Sequence, residues 1–327
     1  MFQRFSNHLR WKYFCKWDNI QTIKSAIEEL NGLNNTKYSK GCWFDKTDRS
    51  GFEEAKKMAL RSDAIILTMG ESWHWSGEAA SRTSIRLPEI QTELIRELKK
   101  LNKPIILVLL NGRPLALEEE YPMVDAILEA WFPGTKGAEA IADALFGNII
   151  PSGKLTMTFP RNLGQVPIHY NVKNTGRPVN PDNPDYKYTS RYLDSKNEPL
   201  FPFGYGLSYS TFNYSDLKLS TTSLKAGDDL VISVKLSNTG SKEAKEVVQL
   251  YIRDLVGSVT RPVKELKGFR KVKLKPGEMQ TVTFTISEDD LKFYRLDMTY
   301  GSEPGKFKVF VGGNSQEVLE DEFNLLD

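Results

Sequence analysis

Near residue 147 the spacing of apolar residues changes period, and no single sheet or bundle accommodates both patterns. Over residues 18–147 helical spacing alternates with short apolar runs. An opening helix is expected over residues 20–30, and Phe52, Ala55, Met58 and Ala59 recur on one face of the next. The run from Asp63 to Met69 then reads as a buried strand ending at Gly70. Ile90, Leu94, Ile95, Leu98 and Leu101 line one side of a further helix, with Pro88 suited to its first position. Pro104-Ile-Ile-Leu-Val-Leu-Leu110 is a second central strand stopped by Asn111 and Gly112. Residues 124–131 predict a third, and Ala138, Ile141, Ala142 and Leu145 a helix that Gly147 ends. Strands apolar on both faces and separated by helices predict an α/β sandwich: a mostly parallel sheet with helices on both faces.

From about Tyr214 the helical spacing is gone. Residues 230–236, 247–252, 281–286 and 306–311 alternate apolar with polar, and turn signals such as Asn238-Thr-Gly240 and Lys275-Pro-Gly277 separate them. That pattern predicts an all-β sandwich of the immunoglobulin or fibronectin type III kind. Residues 161–206, rich in Asn, Pro, Tyr and Arg, are too many for an ordinary connection and are expected to wrap the domain surface. The expected division is an α/β domain over 1–160, a connecting segment over 161–212 and a sandwich over 213–327. Neither an internal repeat nor a low-complexity tract interrupts it.

Charge narrows the partners. Lys and Arg total 44 against 42 for Asp and Glu, which leaves no field to draw the chain onto nucleic acid or an anionic membrane. Nowhere do eighteen apolar residues run together, so no transmembrane helix is expected. Residues 1–16 mix Arg10, Lys12 and Lys16 with Phe2, Trp11 and Phe14 and form no signal-peptide core, so localisation is left open. Cys15 and Cys42 lack metal-ligand spacing and are expected to be free thiols. Nothing predicts a metal or an organic cofactor. A nucleotide-binding domain is argued against, because no Gly-rich phosphate loop opens a helix after a strand.

The residues most able to carry chemistry lie in the loop over residues 70–83, which follows the strand ending at Met69. Open α/β sheets bind ligands beyond the carboxyl ends of their strands. This loop holds two carboxylates, Glu71 and Glu78, two indoles, Trp73 and Trp75, and Arg82. A carboxylate there could protonate a departing oxygen, and the indoles could offer flat faces to a sugar ring. Ordinary roles compete: packing for the tryptophans, a salt bridge to Arg82 for Glu71, and packing or hydrogen bonding for His74.

The run from Gly70 to Arg82 resembles the acid/base loop of glycoside hydrolase family 3, in which a Ser-Gly-Glu-like tripeptide precedes an arginine. The likeness extends through Asn111-Gly-Arg-Pro114, Ala126-Ile-Leu-Glu-Ala-Trp-Phe-Pro-Gly134, Pro151-Ser-Gly-Lys154, Tyr188-Thr-Ser-Arg-Tyr192 and Phe201-Pro-Phe-Gly-Tyr-Gly-Leu-Ser-Tyr209. Arg261-Pro262, Leu266-Lys-Gly-Phe269 and Leu274-Lys-Pro-Gly-Glu278 are similar to the fibronectin type III-like domain of bacterial β-glucosidases.

The resemblance implies the C-terminal portion of a retaining, exo-acting β-glucosidase. Glu78 aligns with the general acid/base and Arg82 with the basic residue after it; Glu71 is the alternative, because this loop varies in length among relatives. Trp73, Trp75 and Arg82 are the candidate substrate contacts. In this family the nucleophilic aspartate sits on a (β/α)8 barrel, which nothing in the chain resembles. A separate barrel chain is therefore an expected partner alongside the β-glucoside or oligosaccharide substrate, and the α/β domain is expected to be truncated at its start, because residues 2–17 make a poor opening strand ahead of the first helix. The alternative is a non-catalytic carbohydrate-binding or dimerisation module, or a truncated remnant, with the sandwich able to mediate a homodimer. Full-length relatives are often periplasmic or secreted.

Overall fold

The computed structural model describes residues 20–44, 46–180 and 182–326. The chain divides into two compact units: residues up to 149 together with 160–164, and residues 150–159 together with 165 onward.

The first unit is the α/β layer. Its elements run α1 (Ile23–Asn31), α2 (Phe52–Leu60), β1 (Ile65–Gly70), α3 (Glu89–Lys99), β2 (Ile105–Leu110), β3 (Ala126–Glu129) and α4 (Gly137–Leu145). The three strands form a parallel sheet in the order β1-β2-β3, with Ile65 beside Ile105 and Ile106 beside Ala126. The central strand is the driest: Ile105, Leu107, Val108 and Leu109 are fully buried, as expected of a parallel strand covered on both faces.

Successive residues of a strand point to opposite faces. On one face Val108 and Leu110 pack with Ile23, Ala26 and Ile27 of α1 and Ala138, Ile141 and Ala142 of α4. On the other side of the unit α2 meets α3, and α3 buries Ile90, Leu94, Ile95 and Leu98. Helix α1 starts at a capping box in which Thr22 and Ser25 satisfy each other's backbone N–H.

Two elements differ from the expectation. Pro88 caps α3 from outside, with Glu89 as the first helical residue. The third strand holds four residues, pairing with β2 from Ala126 beside Ile106 to Glu129 beside Leu109, and Trp131 beyond it adopts a left-handed conformation at φ 49°.

The second unit is the sandwich. Its strands are β4 (Phe212–Leu219), β5 (Ser223–Leu224), β6 (Asp229–Asn238), β7 (Ala244–Asp254), β8 (Glu265–Leu274), β9 (Met279–Ser287), β10 (Phe293–Tyr294), β11 (Tyr300–Gly301), β12 (Gly305–Gly312) and β13 (Val318–Leu325). One sheet orders β5-β13-β12-β7-β8 and the other β4-β6-β9; β10 and β11 form a small hairpin. Leu230, Ile232, Val234 and Leu236 alternate inward from β6 to meet Leu250, Ile252, Val309 and Phe323.

Strand β7 departs from simple alternation. Gln249 and Tyr251 are buried as well as their inward neighbours. Residues of the long irregular stretch cover them: Tyr170 stacks on Phe203 at 4.3 Å and meets Tyr251 edge-on, while Gln249 Nε2 donates to the Gly204 carbonyl at 3.2 Å. Lys154 adds a buried tie, reaching the Glu246 carboxylate at 2.9 Å and the Gly206 carbonyl at 2.7 Å.

Cys42 is a free, half-buried thiol whose burial pushes it up to about 11; Cys15 lies outside the described residues. No helix among the described residues is long and apolar enough to cross a membrane.

Candidate active site at the carboxyl edge of the parallel sheet

Three parallel strands bring three sets of polar residues to one edge: Glu71 after β1, Asn111 and Arg113 after β2, and Glu129 with Trp131 at the end of β3. The entry to the β1–α3 loop is anchored by a buried glutamine. Gln91 of α3 accepts from the Gly70 N–H at 2.9 Å and donates to the Gly70 carbonyl at 3.1 Å. Gly70 has φ 135°, and a Cβ there would lie 2.1 Å from the Leu110 carbonyl oxygen, so only glycine lets β1 and β2 approach this closely.

The two loop carboxylates have opposite environments. The Glu71 side chain is fully buried, with Arg113 Nε at 3.1 Å from Oε2 and Arg82 Nη1 at 3.5 Å from Oε1. Ser76 Oγ donates to Oε2 at 3.3 Å. The bridge to Arg82 expected from sequence is therefore present, together with a second arginine that sequence reading assigned no role.

Glu78, by contrast, is exposed. It stands between Gly77 at φ 107° and Ala79 at φ 58°, at the apex of a turn. Left-handed geometry at Ala79 costs about 1–2 kcal/mol for a residue carrying a Cβ, so contacts elsewhere in the loop must hold the turn.

The indoles are half-buried rather than free-standing. A short 3-10 turn spans Trp73–Trp75, and the Trp73 ring lies 3.5 Å from that of His74. The Arg82 guanidinium sits 4.0 Å over the Trp75 ring, whose edge meets Phe44. One face of Trp75 is thus already covered by a cation.

Arg113 joins the parts. Besides Glu71, its Nη2 donates to the carbonyl oxygens of Trp75 and Ala80 and to Ser76 Oγ at 3.4 Å. Behind it the fully buried Asn111 donates from Nδ2 to the Arg113 carbonyl at 2.8 Å and to Glu129 Oε2 at 3.3 Å. Glu129 also accepts the Trp131 N–H at 3.0 Å. Burial pushes the Glu129 carboxyl from 4.5 up to about 7, against the lowering effect of those two hydrogen bonds.

A stability prediction follows from Glu129. Its folded value lies above the unfolded one, so between about pH 4.5 and about 7 the native state binds more protons than the unfolded state. Stability must therefore fall as pH rises through that window. All six tryptophans precede residue 132, and the four among the described residues, Trp43, Trp73, Trp75 and Trp131, lie in the α/β unit, so fluorescence in urea follows that unit. Glu129→Gln is expected to flatten the loss of urea midpoint between pH 5 and 7; an unchanged slope would assign it to other groups.

Arg113, Asn111 and Glu129 lie in stretches that sequence reading treated only as family signatures or strand stops. The available signal was an acidic residue closing an apolar run, Ala126-Ile-Leu-Glu129, at the edge where ligands bind.

Comparison with known proteins agrees with this architecture. Residues 5–209 match the glycosyl hydrolase family 3 C-terminal domain, and residues 246–315 the fibronectin type III-like domain. The chain is 47% identical over 314 residues to a periplasmic beta-glucosidase of Salmonella typhimurium, covering 96% of this chain and 40% of that protein. It is 42% identical to a beta-xylosidase of Formosa agariphila, covering 91% of this chain and 40% of the relative. The crystal structure of a mutant beta-glucosidase from Listeria innocua in complex with laminaribiose superimposes with a TM-score of 0.91 at 38% identity, over 97% of this chain and 43% of that one. The chain thus spans about 40% of the length of the relatives it matches.

Proposed function

The chain belongs to glycosyl hydrolase family 3, and from that premise we propose that it supplies the general acid/base, Glu78, of a retaining β-glucosidase that releases terminal β-D-glucosyl residues. The nucleophilic carboxylate would come from a (β/α)8 barrel, as the family resemblance implies. The observation that carries the proposal is the contrast between the two loop glutamates. Glu71 is fully buried and engaged by Arg113, Arg82 and Ser76, whereas Glu78 is exposed on the loop at the sheet's carboxyl edge. Of the two loop glutamates, only Glu78 can exchange a proton with a bound ligand without first breaking an ion pair.

In this mechanism Glu78 protonates the glycosidic oxygen as the aglycone departs, while the barrel's carboxylate, about 5–5.5 Å from it, attacks the anomeric carbon. The same Glu78 then takes a proton from the water that hydrolyses the glycosyl-enzyme. Two inversions give overall retention. Trp73, Trp75 and Arg82 would bound the site beside the acid, with Arg82 acting through Trp75 and Glu71.

The test is hydrolysis of an aryl β-glucoside, with the aryl β-xyloside alongside because a relative at 42% identity is a beta-xylosidase. The purified chain is assayed alone and mixed with a separately expressed family 3 barrel. Turnover only in the mixture, with glucoside preferred, is the expected result. Turnover by the chain alone would place both carboxylates within it and overturn the division of roles. A mixture that associates yet stays inert would support a carbohydrate-binding or dimerisation module instead.

A further inference from the structure

The guanidinium of Arg113, which follows β2, ties three parts of the loop together. Nε meets the Glu71 carboxylate at 3.1 Å, at the entry of the loop. Nη2 donates to the Trp75 carbonyl on one side of the turn and to the Ala80 carbonyl, at 3.1 Å, on the other. Those two carbonyls bracket Gly77, Glu78 and Ala79, where positive φ at Gly77 and Ala79 flanks the glutamate. The side chain that closes the base of the turn therefore comes from a different strand connection and is itself held from behind, where Asn111 binds its carbonyl.

We infer that Arg113 is the positioning residue for Glu78: by holding the Trp75 and Ala80 carbonyls at a fixed separation, it sets where the exposed carboxyl is presented. The inference rests on Glu78 being the acid/base. Arg113 reaches no substrate in this scheme and acts only through the loop backbone. Its planar fork suits the task, because it directs several N–H groups along fixed directions at once; a lysine at the same place keeps the charge opposite Glu71 but gathers its three donors on one rotating nitrogen. Placement matters to the chemistry, since a displacement of about 1 Å at a reacting group can cost on the order of 10²-fold in rate.

The experiment compares Arg113→Lys and Arg113→Ala in the full chain by hydrogen exchange and mass spectrometry. Exchange in peptides covering residues 72–84 is expected to quicken by about tenfold or more, while peptides over β2 keep their protection. If Arg113→Ala unfolds the α/β unit, seen by tryptophan fluorescence, Arg113→Lys supplies the measurement. Unaltered exchange in 72–84 would overturn the inference.

The same variants in the enzyme assembled with a family 3 barrel give the readout that a merely structural role would not. Arg113→Lys is expected to lower kcat/KM for an alkyl β-glucoside by about tenfold or more and to spare a dinitrophenyl glucoside, whose departure needs no proton. Equal losses on both substrates would overturn it. Glu78→Gln is the control: if that variant fails to discriminate between the substrates, the acid/base assignment has failed, and the exchange data still judge the clamp by themselves.

Discussion

In an enzyme assembled from this chain and a family 3 barrel, Glu78→Ala is expected to lower kcat/KM for an alkyl β-glucoside by about 10²–10⁴-fold. For a dinitrophenyl glucoside, kcat/KM stays within about tenfold of the parent, because that aglycone leaves without protonation. Turnover of the dinitrophenyl substrate is still expected to slow, since in the proposed mechanism the same carboxylate deprotonates the incoming water in the second step. Azide, which attacks without a general base, should restore it. The effect is large because the other glutamate of the loop cannot replace the missing group: Glu71 is occupied by its arginines. If Glu71→Gln rather than Glu78→Ala produced this leaving-group dependence, the roles of the two glutamates would have to be exchanged.

The second large effect is on stability. Glu71→Ala removes a fully buried carboxylate and leaves Arg113 and Arg82 facing each other without a counter-charge. Stranding one member of a buried pair costs about 3–5 kcal/mol. The arginine side chains here are 20% and 23% exposed, so part of their charge can be resolvated, and about 2–4 kcal/mol is the expected loss. It is read from the urea midpoint of tryptophan fluorescence, which follows the α/β unit. Double variants sharpen the test. Once Glu71 is gone, removing Arg82 should cost little or even recover stability, as coupled neighbours do; fully additive losses would mean that the two do not interact.

Much of the architecture could be read from residues alone, for reasons the burial pattern makes plain. Strand β2 is dry on both faces, so its apolar run is unbroken; β6 is dry on one, so it alternates. What escaped sequence reading depends on residues far apart in the chain. Val124 and Asp125 look like strand, but the pairing with β2 begins only at Ala126, beside Ile106, twenty residues away. Arg113 and Glu71 are forty-two residues apart, and only the parallel pairing of β1 with β2 makes them neighbours. For the site, the loop itself and its two glutamates were legible from composition and position. Their environments were legible only in part: the bridge from Glu71 to Arg82 was expected, but Arg113 as its second partner was not, because that contact needs the pairing of β1 with β2.

The cover over the outer face of β7 has a consequence for how such chains can be inherited and recombined. Tyr170, Phe203 and Gly204 form part of the wall against which Gln249 and Tyr251 rest, and Lys154 reaches the same strand through Glu246. A crossover that brought in the ten strands without residues 150–206 would leave a strip of half-solvated tyrosine and amide on an otherwise finished sheet. Gene fusions that keep both stretches from one parent avoid that exposed flank. The piece that can travel between proteins is the sandwich together with the irregular chain laid over it.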